Sequence, residues 1–166
     1  EDGDIQEFDS AKMKELLNVL DETEGKVIIW ANWVHSLEMI IRELKNKYGN
    51  DSVVAIYGDI PSKAREEAVE KFQNSNDVRF FVSNPQTGGY GLTLTEANTV
   101  IYFSNNYDLE QRQQSEDRAH RIGQNNKVLY IDLIAEKTID EFVIKALNLK
   151  IKLSAETLGE EVLAYL

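Results

Sequence analysis

The residues best suited to chemistry lie in the stretch QSEDRAHRIGQ, which covers residues 114–124. It contains Arg118 and Arg121 together with Gln114 and Asp117. If the stretch is helical, these side chains fall at i, i+3, i+4 and i+7 and share one helix face. A guanidinium is always charged, and its planar fork fits the oxygens of a phosphate group. The pattern therefore indicates a phosphate site, with an ordinary solvated helix face as the alternative.

A glycine-rich segment, SNPQTGGYGLTL at residues 83–94, is the second feature that could bind an anion. Its Gly88, Gly89 and Gly91 allow positive φ angles and close approach of the backbone to a ligand. Backbone N–H groups in such a loop attract anions. No Gly-Lys-Ser/Thr sequence follows, so this is not a Walker A loop. A plain glycine-rich turn is the alternative, and the nearby arginines favour the anion site.

Short apolar runs that alternate with amphipathic segments predict the elements that position these residues. The predicted strands cover 26–31, 52–57, 78–82, 99–103 and 127–134. The predicted helices cover the first 20 or so residues, 34–48, 63–73, 107–122, 138–150 and the last dozen residues. Buried strands separated by helices predict an α/β fold with a parallel sheet covered on both faces. In such a sheet a ligand binds at the carboxyl ends of the strands, where both motifs begin.

Charge is distributed unevenly along the 166 residues, whose formal net charge is −11. Residues 1–24 carry nine acids and two bases, and residues 154–166 carry three acids and no base. The middle, residues 25–153, has 17 acids and 16 bases. We therefore predict a leading acidic helical segment, a nearly neutral central domain and a helical tail with these boundaries. A net negative charge argues against nucleic-acid binding, but a neutral body can still present a local basic strip.

The composition excludes several classes of protein and site. There is no cysteine and only two histidines, so thiolate and multi-histidine metal sites are excluded and we expect no metal bound by this chain. No apolar run approaches the roughly 18 residues of a membrane span, and the N-terminal residues do not have the pattern of a signal peptide. We expect an intracellular protein that does not contact a membrane.

The two motifs together resemble a known family. GGYGLTL at 88–94 followed by QSEDRAHRIGQ is similar to motifs V and VI of the Swi/Snf-type ATPases, which belong to the superfamily 2 helicases. KVIIWA at 26–31 resembles motif IV, and YGDIPSKAR at 57–65 with Phe72 resembles the Gly…Arg…Phe segment of the family. Residues 138–153 resemble its closing brace helix. The resemblance covers about 25–155. It implies a RecA-like three-layer α/β/α lobe with a mainly parallel sheet, from a viral or bacterial member.

The resemblance also implies functions for individual residues. Arg118 and Arg121 would be the catalytic arginine fingers that reach the γ-phosphate of ATP. The nucleotide-binding residues would be Gln114, Asp117, Gly89, Gly91 and Thr93, with Asp117 orienting the arginines. The candidate nucleic-acid contacts are Arg65, Tyr107 and Arg112; for both arginines a solvated helix position is as good an alternative. The functions of Trp33 and His120 stay open.

Two positions depart from the family pattern. Thr93 stands where the family usually has Asn, so a hydroxyl replaces an amide. Ser104–Leu109 reads SNNYDL where the family has Asp-X-X-Trp-Asn-Pro, so Tyr107 replaces the tryptophan and an acid is lost.

The sequence has neither a Gly-Lys-Thr/Ser loop nor an acid pair after an apolar strand, the features with which a first lobe holds ATP and Mg²⁺. We therefore expect a fragment: the second lobe of an ATP-dependent helicase or double-stranded DNA translocase, monomeric and inactive as an ATPase on its own. Its partners would be the first lobe and DNA. It would function in the bacterial or infected-host cytoplasm, or in the nucleus if eukaryotic. The alternatives are a stand-alone nucleotide or nucleic-acid binding module without catalysis, and a purely structural domain.

Overall fold

A five-stranded parallel sheet forms the centre of the computed structural model, which describes residues 2–88 and 91–158. The strands are β1 (Lys26–Trp30), β2 (Val53–Ile56), β3 (Phe80–Ser83), β4 (Ala97–Tyr102) and β5 (Leu129–Asp132). The helices are α1 (Asp2–Asp21), α2 (Val34–Tyr48), α3 (Ser62–Asn74), α4 (Leu109–Glu116) and α5 (Ile139–Leu158). Short 3₁₀ turns cover Asn50–Ser52 and Pro85–Gly88. The strand order is β2-β3-β1-β4-β5, and all pairs are parallel.

The central strand β1 sets the register of the sheet. Its Ile29 pairs with Val82 of β3 on one side and with Ile101 of β4 on the other. Four of its five residues are fully buried, as expected for a strand covered on both faces. β-branched side chains suit this position because they pack well on a pleated surface.

Helices cover both faces, so the predicted three-layer α/β/α fold with a parallel sheet is confirmed. On one face α1 and α2 bury apolar side chains such as Leu16 and Leu37 against β1. On the other face Phe72 of α3 belongs to the same cluster as Phe81 and Trp30. The Phe81 ring lies 5.4 Å from the Phe72 ring and 6.2 Å from the Trp30 ring. Trp30 is fully buried in this part of the core.

The predicted helix over 107–122 was wrong at its end, because α4 stops at Glu116. The Glu116 carbonyl accepts hydrogen bonds from the N–H groups of both Ala119 and His120, which tightens the chain into a turn. The Arg118 carbonyl then accepts from the N–H of Leu94, 2.9 Å away, and not from a residue farther along a helix. Arg118 and Arg121 therefore do not share a helix face with Gln114.

The terminal helices belong to the same packed unit as the sheet. Leu16 and Leu20 of α1 are fully buried, and Lys12 of α1 forms a 2.7 Å ion pair with Asp140 of α5. Helix α5 runs without interruption across the proposed boundary between 153 and 154. The three-segment division stays a prediction based on charge. Within residues 2–88 and 91–158, no helix is long and apolar enough to cross a membrane.

Candidate functional site

The two sequence motifs meet at the carboxyl ends of the strands. The glycine-rich segment follows β3, and the turn after α4 lies against it through the Leu94–Arg118 backbone hydrogen bond. Together they form a pocket of about 610 Å³. It is lined by Gly91, Leu92, Gln114, Asp117, Arg118, His120, Arg121 and Ile122. The structure thus brings five of the predicted site residues to one place, while Gly89 lies outside the described residues.

Arg118 is a buried cation that is held in place by the loop after β3. Only 4% of the residue is exposed, and its Nη2 donates a 3.1 Å hydrogen bond to the Pro85 carbonyl. Its guanidinium lies 4.9 Å from the centre of the Trp30 ring, a cation–π distance. Burial lowers the pKa of Arg118, although a guanidinium stays charged at neutral pH. The side chain is therefore a fixed positive charge beneath the pocket.

Arg121 is exposed and joins the turn to the glycine-rich loop. Its Nη1 donates to the Gly91 carbonyl at 2.8 Å and to the Thr93 hydroxyl at 3.2 Å. Gly91 has a φ of +53°, a left-handed conformation that favours glycine. The hydroxyl at position 93, where the resemblance expects an amide, contacts the arginine directly.

The other two predicted nucleotide residues, Gln114 and Asp117, have exposed side chains at the rim of the pocket. Gln114 donates a 3.0 Å hydrogen bond to Glu110 on the preceding turn of α4. Across the described part of the chain, the Asp117 carboxylate forms no ion pair with either arginine. In this structure the carbonyls of Pro85 and Gly91 hold the two guanidinium groups, and the orienting function of Asp117 stays a prediction.

Gln124 fixes the site and was missed in the sequence. Its side-chain amide nitrogen contacts the carbonyls of Thr95, Ala97 and Ala119 at 2.9, 2.9 and 3.2 Å. Its side-chain oxygen accepts from the N–H of Asn126. This amide therefore joins the end of the arginine turn to the start of β4. The signal in the sequence was its position as the last residue of the resembling motif.

The predicted nucleic-acid residues lie away from this pocket. Arg65 is half-buried, donates to the Ile60 carbonyl at 3.1 Å and lines a separate cleft of about 680 Å³. Tyr107 is 44% exposed, and its carbonyl accepts a 2.6 Å hydrogen bond from Lys150 of α5. Trp33, on the loop after β1, is 70% exposed.

Arg112 lies in a network of mostly buried polar side chains along the wall of a third cleft, of about 910 Å³. Its donors reach Asp132 at 2.5 Å, Glu116 at 2.6 Å and Asn105 at 2.8 Å. Its guanidinium lies 3.5 Å from the centre of the Tyr102 ring. Burial alone would lower the pKa of Arg112, but the hydrogen bonds to the two carboxylates outweigh it and raise the pKa. Burial also raises the pKa of the Tyr102 phenol.

Among residues 2–88 and 91–158, no three His, Cys, Asp or Glu side chains are grouped so that they could hold a metal ion. The chemical character of the candidate site is that of an anion site, with guanidinium groups, a hydroxyl and loop backbone. A parallel α/β/α sheet with a glycine-rich loop and an arginine turn at its carboxyl edge defines a RecA-like lobe.

Comparisons with known proteins identify the family. The family described as the helicase conserved C-terminal domain matches residues 11–123, which is more than half of the chain, so the chain belongs to that family. It is 32% identical over 152 residues to the ATP-dependent helicase fft2 of Schizosaccharomyces pombe, covering 88% of this chain and 11% of that protein. It is also 30% identical over 152 residues to a mouse SWI/SNF-related regulator of chromatin, subfamily A containing DEAD/H box 1, covering 90% and 15%.

Among solved structures, the crystal structure of the C-terminal part of the Fun30 ATPase domain is similar to this chain. The TM-score is 0.71 at 27% identity, covering 81% of this chain and 43% of that one. The resemblance to Swi/Snf-type helicases is thereby confirmed, and a viral or bacterial source stays a prediction. The chain spans only 11% and 15% of the length of the two curated relatives.

Proposed function

We propose that the chain is the second motor lobe of an ATP-dependent helicase or double-stranded DNA translocase, and that Arg118 and Arg121 act on the γ-phosphate of ATP. One observation carries the proposal: both arginines of the QSEDRAHRIGQ turn line one pocket at the strand carboxyl ends, each held by a loop carbonyl. The names of the relatives, which are ATP-dependent helicases, support it.

The donor set of the pocket fits phosphate oxygens. The two guanidinium groups that line the pocket can donate to an anion, and the Thr93 hydroxyl contacts one of them, whereas Mg²⁺ requires oxygen ligands and a carboxylate or two. We therefore assign ATP phosphate contacts to this lobe and Mg²⁺ to a first lobe outside this chain. ATP with Mg²⁺ supplies a phosphoryl group for transfer to water when both lobes hold it. The arginines of this chain neutralise charge that grows on the transferring group.

The rigid hold on Arg118 suits this function. The guanidinium is already desolvated in the fold and is held in place by the Pro85 carbonyl and the Trp30 ring. A cation that needs no reorganisation stabilises a transition state better than one that must be ordered first. Arg121, exposed and bound to the glycine-rich loop, can exchange the Gly91 carbonyl for a phosphate oxygen when the lobes close.

Replacing Arg121 with alanine in the full-length protein tests the proposal. We expect the DNA-stimulated kcat to fall by about 10³-fold or more, because an arginine finger is worth roughly 10³–10⁵ in rate. The KM for ATP should change little. Arg42→Ala is the matched control, since its side chain is 67% exposed and, among residues 2–88 and 91–158, forms an ion pair with the neighbouring Glu43 alone. An unchanged kcat in Arg121→Ala would rule out the finger function.

We further propose that the isolated chain hydrolyses ATP negligibly and that it binds duplex DNA weakly. The reason is that finger arginines accelerate transfer only when the phosphates and Mg²⁺ are already held. Phosphate release from the isolated chain, measured with malachite green with and without duplex DNA, should stay at background. Robust DNA-stimulated turnover would overturn the division of labour between the two lobes.

A further inference from the structure

Arg112 occupies the first turn of α4 and connects three parts of the carboxyl edge. It reaches Glu116 at the end of the same helix, Asn105 in the loop after β4, and Asp132 at the end of β5. Only 12% of its side chain is exposed, with 24% for Glu116 and 26% for Asp132. The fork of the guanidinium also reaches the second oxygen of Asp132, 3.2 Å away, which makes this pair bidentate.

Glu116 joins this network to the arginine turn. Its side chain accepts from Arg112, while its carbonyl accepts from the N–H groups of Ala119 and His120 within the turn. The Tyr130 hydroxyl of β5 donates to the same carbonyl at 3.2 Å. The position at which α4 ends, and from which the arginine turn begins, is therefore set through Glu116.

We propose that Arg112 and Asp132 form a positioning pair that fixes the end of α4 against β5 and thereby aims Arg118 and Arg121. This inference rests on the proposed finger function. The sequence had suggested a nucleic-acid contact for Arg112. Its low exposure, its two carboxylate partners and its position over the Tyr102 ring instead engage the side chain within the protein.

Two variants of the full-length protein test the pair by changing one partner each: Arg112→Gln and Asp132→Asn. A misplacement of catalytic groups by about 1 Å can cost roughly 100-fold in rate, so we expect each variant to lower kcat by about 10- to 100-fold. The KM for ATP and the affinity for duplex DNA should not change. The two variants separate positioning from nucleic-acid contact, because Asp132→Asn frees the arginine and cannot weaken a contact between Arg112 and DNA.

Asp140→Asn is the matched control. Asp140 forms a similarly buried ion pair with Lys12, with side chains 20% and 10% exposed, on helices that do not carry the arginine turn. The melting temperature of the Asp140→Asn variant should fall about as far as in the two test variants, while its kcat stays at the parent value. If Arg112→Gln fails to fold, Asp132→Asn decides the question, since it keeps the size and one acceptor oxygen.

Two results would overturn the inference. If the kcat of Asp132→Asn and of any folded Arg112→Gln matches that of Asp140→Asn, the pair is structural only. If Arg112→Gln weakens duplex binding and Asp132→Asn does not, Arg112 is a nucleic-acid contact. Arg121→Ala in the same assay separates this inference from the proposed function. A normal kcat in Arg121→Ala would contradict the finger function itself. A low kcat in Arg121→Ala, together with a normal kcat in Arg112→Gln and Asp132→Asn, would contradict only the positioning pair.

Discussion

Both edges of the sheet hold cationic side chains against backbone carbonyls, yet the two edges use them differently. At the amino edge, Arg79 donates to carbonyls at the end of α1 and in the turn after it, and Lys26 donates to the last carbonyls of α3. The acceptors are Leu20, Thr23 and Gly25 for Arg79, and Phe72 and Ser75 for Lys26. These cations complete helix ends, where positive charge is favourable.

At the carboxyl edge, Arg118 and Arg121 also bind carbonyls, but the carbonyls belong to loops and the guanidinium groups line a pocket. A carbonyl contact therefore does not by itself distinguish a structural arginine from a functional one. The distinction comes from the edge of the sheet, because ligands of parallel α/β sheets bind where the strands end. Substitutions at the two edges should separate stability from turnover.

The largest expected difference between the edges is in turnover. In the full-length protein, Arg118→Ala should lower kcat by roughly 10³–10⁵-fold, the range for an arginine finger. Arg79→Ala should leave kcat unchanged, because the side chain serves α1 and faces the opposite edge. Steady-state ATPase rates at saturating ATP and DNA measure both. Arg79→Ala is also the stability control, since Arg118 is buried and its loss should lower the melting temperature as well.

Equal losses of kcat in Arg118→Ala and Arg79→Ala would contradict the comparison. They would mean that turnover follows the stability of the lobe and not the presence of an arginine at the carboxyl edge. A normal kcat in Arg118→Ala would leave Arg121 as the single finger.

The second difference is in the free energy of unfolding, and here the substitution at the amino edge should have the larger effect. Arg79→Ala leaves half-buried carbonyls at the end of α1 without this donor, and we expect a cost toward the lower end of the roughly 1–3 kcal/mol for an unsatisfied group. Arg121→Ala removes an exposed side chain and should change the free energy of unfolding by about 0.5 kcal/mol or less. Urea unfolding followed by circular dichroism gives both values. A larger loss in Arg121→Ala than in Arg79→Ala would show that the arginine turn, and not the α1 end, limits stability.

A glycine with positive φ lies near each edge, and replacing it sharpens the comparison further. Gly25, with a φ of +79°, precedes β1, and a Cβ there would lie 2.9 Å from the Asn98 side chain. Gly91, with a φ of +53°, would place its Cβ 3.9 Å from Arg121 Nη1, without a clash. Left-handed backbone costs an alanine about 1–2 kcal/mol, so both variants lose stability.

The two glycine variants should differ in activity. Gly91→Ala shifts the carbonyl that holds Arg121 and should lower kcat, whereas Gly25→Ala should lose more stability and keep kcat. Unfolding and ATPase measurements on the same full-length preparations decide this. A loss of kcat in Gly25→Ala alone would reverse the assignment of the two edges.

Local sequence patterns were sufficient for the main elements of the fold. Runs such as 26–31 and 99–103 predicted buried strands because β-branched and apolar residues follow one another there. The end of α4 could not be predicted in this way. It depends on the contact between Leu94 and the Arg118 carbonyl, which lie far apart in the chain, and on the two N–H groups that share the Glu116 carbonyl.

For the candidate site, too, the sequence predicted some contacts and missed others. Glycine and arginine spacing, and then the family resemblance, predicted that Gly91, Thr93 and Arg121 belong together, and the structure has them in contact. The contacts of Arg112 and Gln124 were missed because their partners lie on other strands: Asp132 on β5 and Ala97 on β4. A polar side chain in a sequence does not reveal whether it faces solvent or a partner distant in the chain.

The smallest expected effect concerns Lys26 at the amino edge and the dependence of stability on pH. Burial lowers the pKa of Lys26, so between that lowered value and the ordinary lysine pKa of about 10.4 the unfolded chain binds more protons than the folded one. The contribution of Lys26 to the free energy of unfolding therefore rises with pH in this window. Lys26→Met removes the contribution, so the difference in stability between parent and variant should grow in favour of the parent as the pH approaches 10. Urea unfolding of both proteins at several pH values between about 8 and 10 measures this difference in the free energy of unfolding. A difference that is constant over this range would mean that Lys26 acts only through its carbonyl contacts at the end of α3.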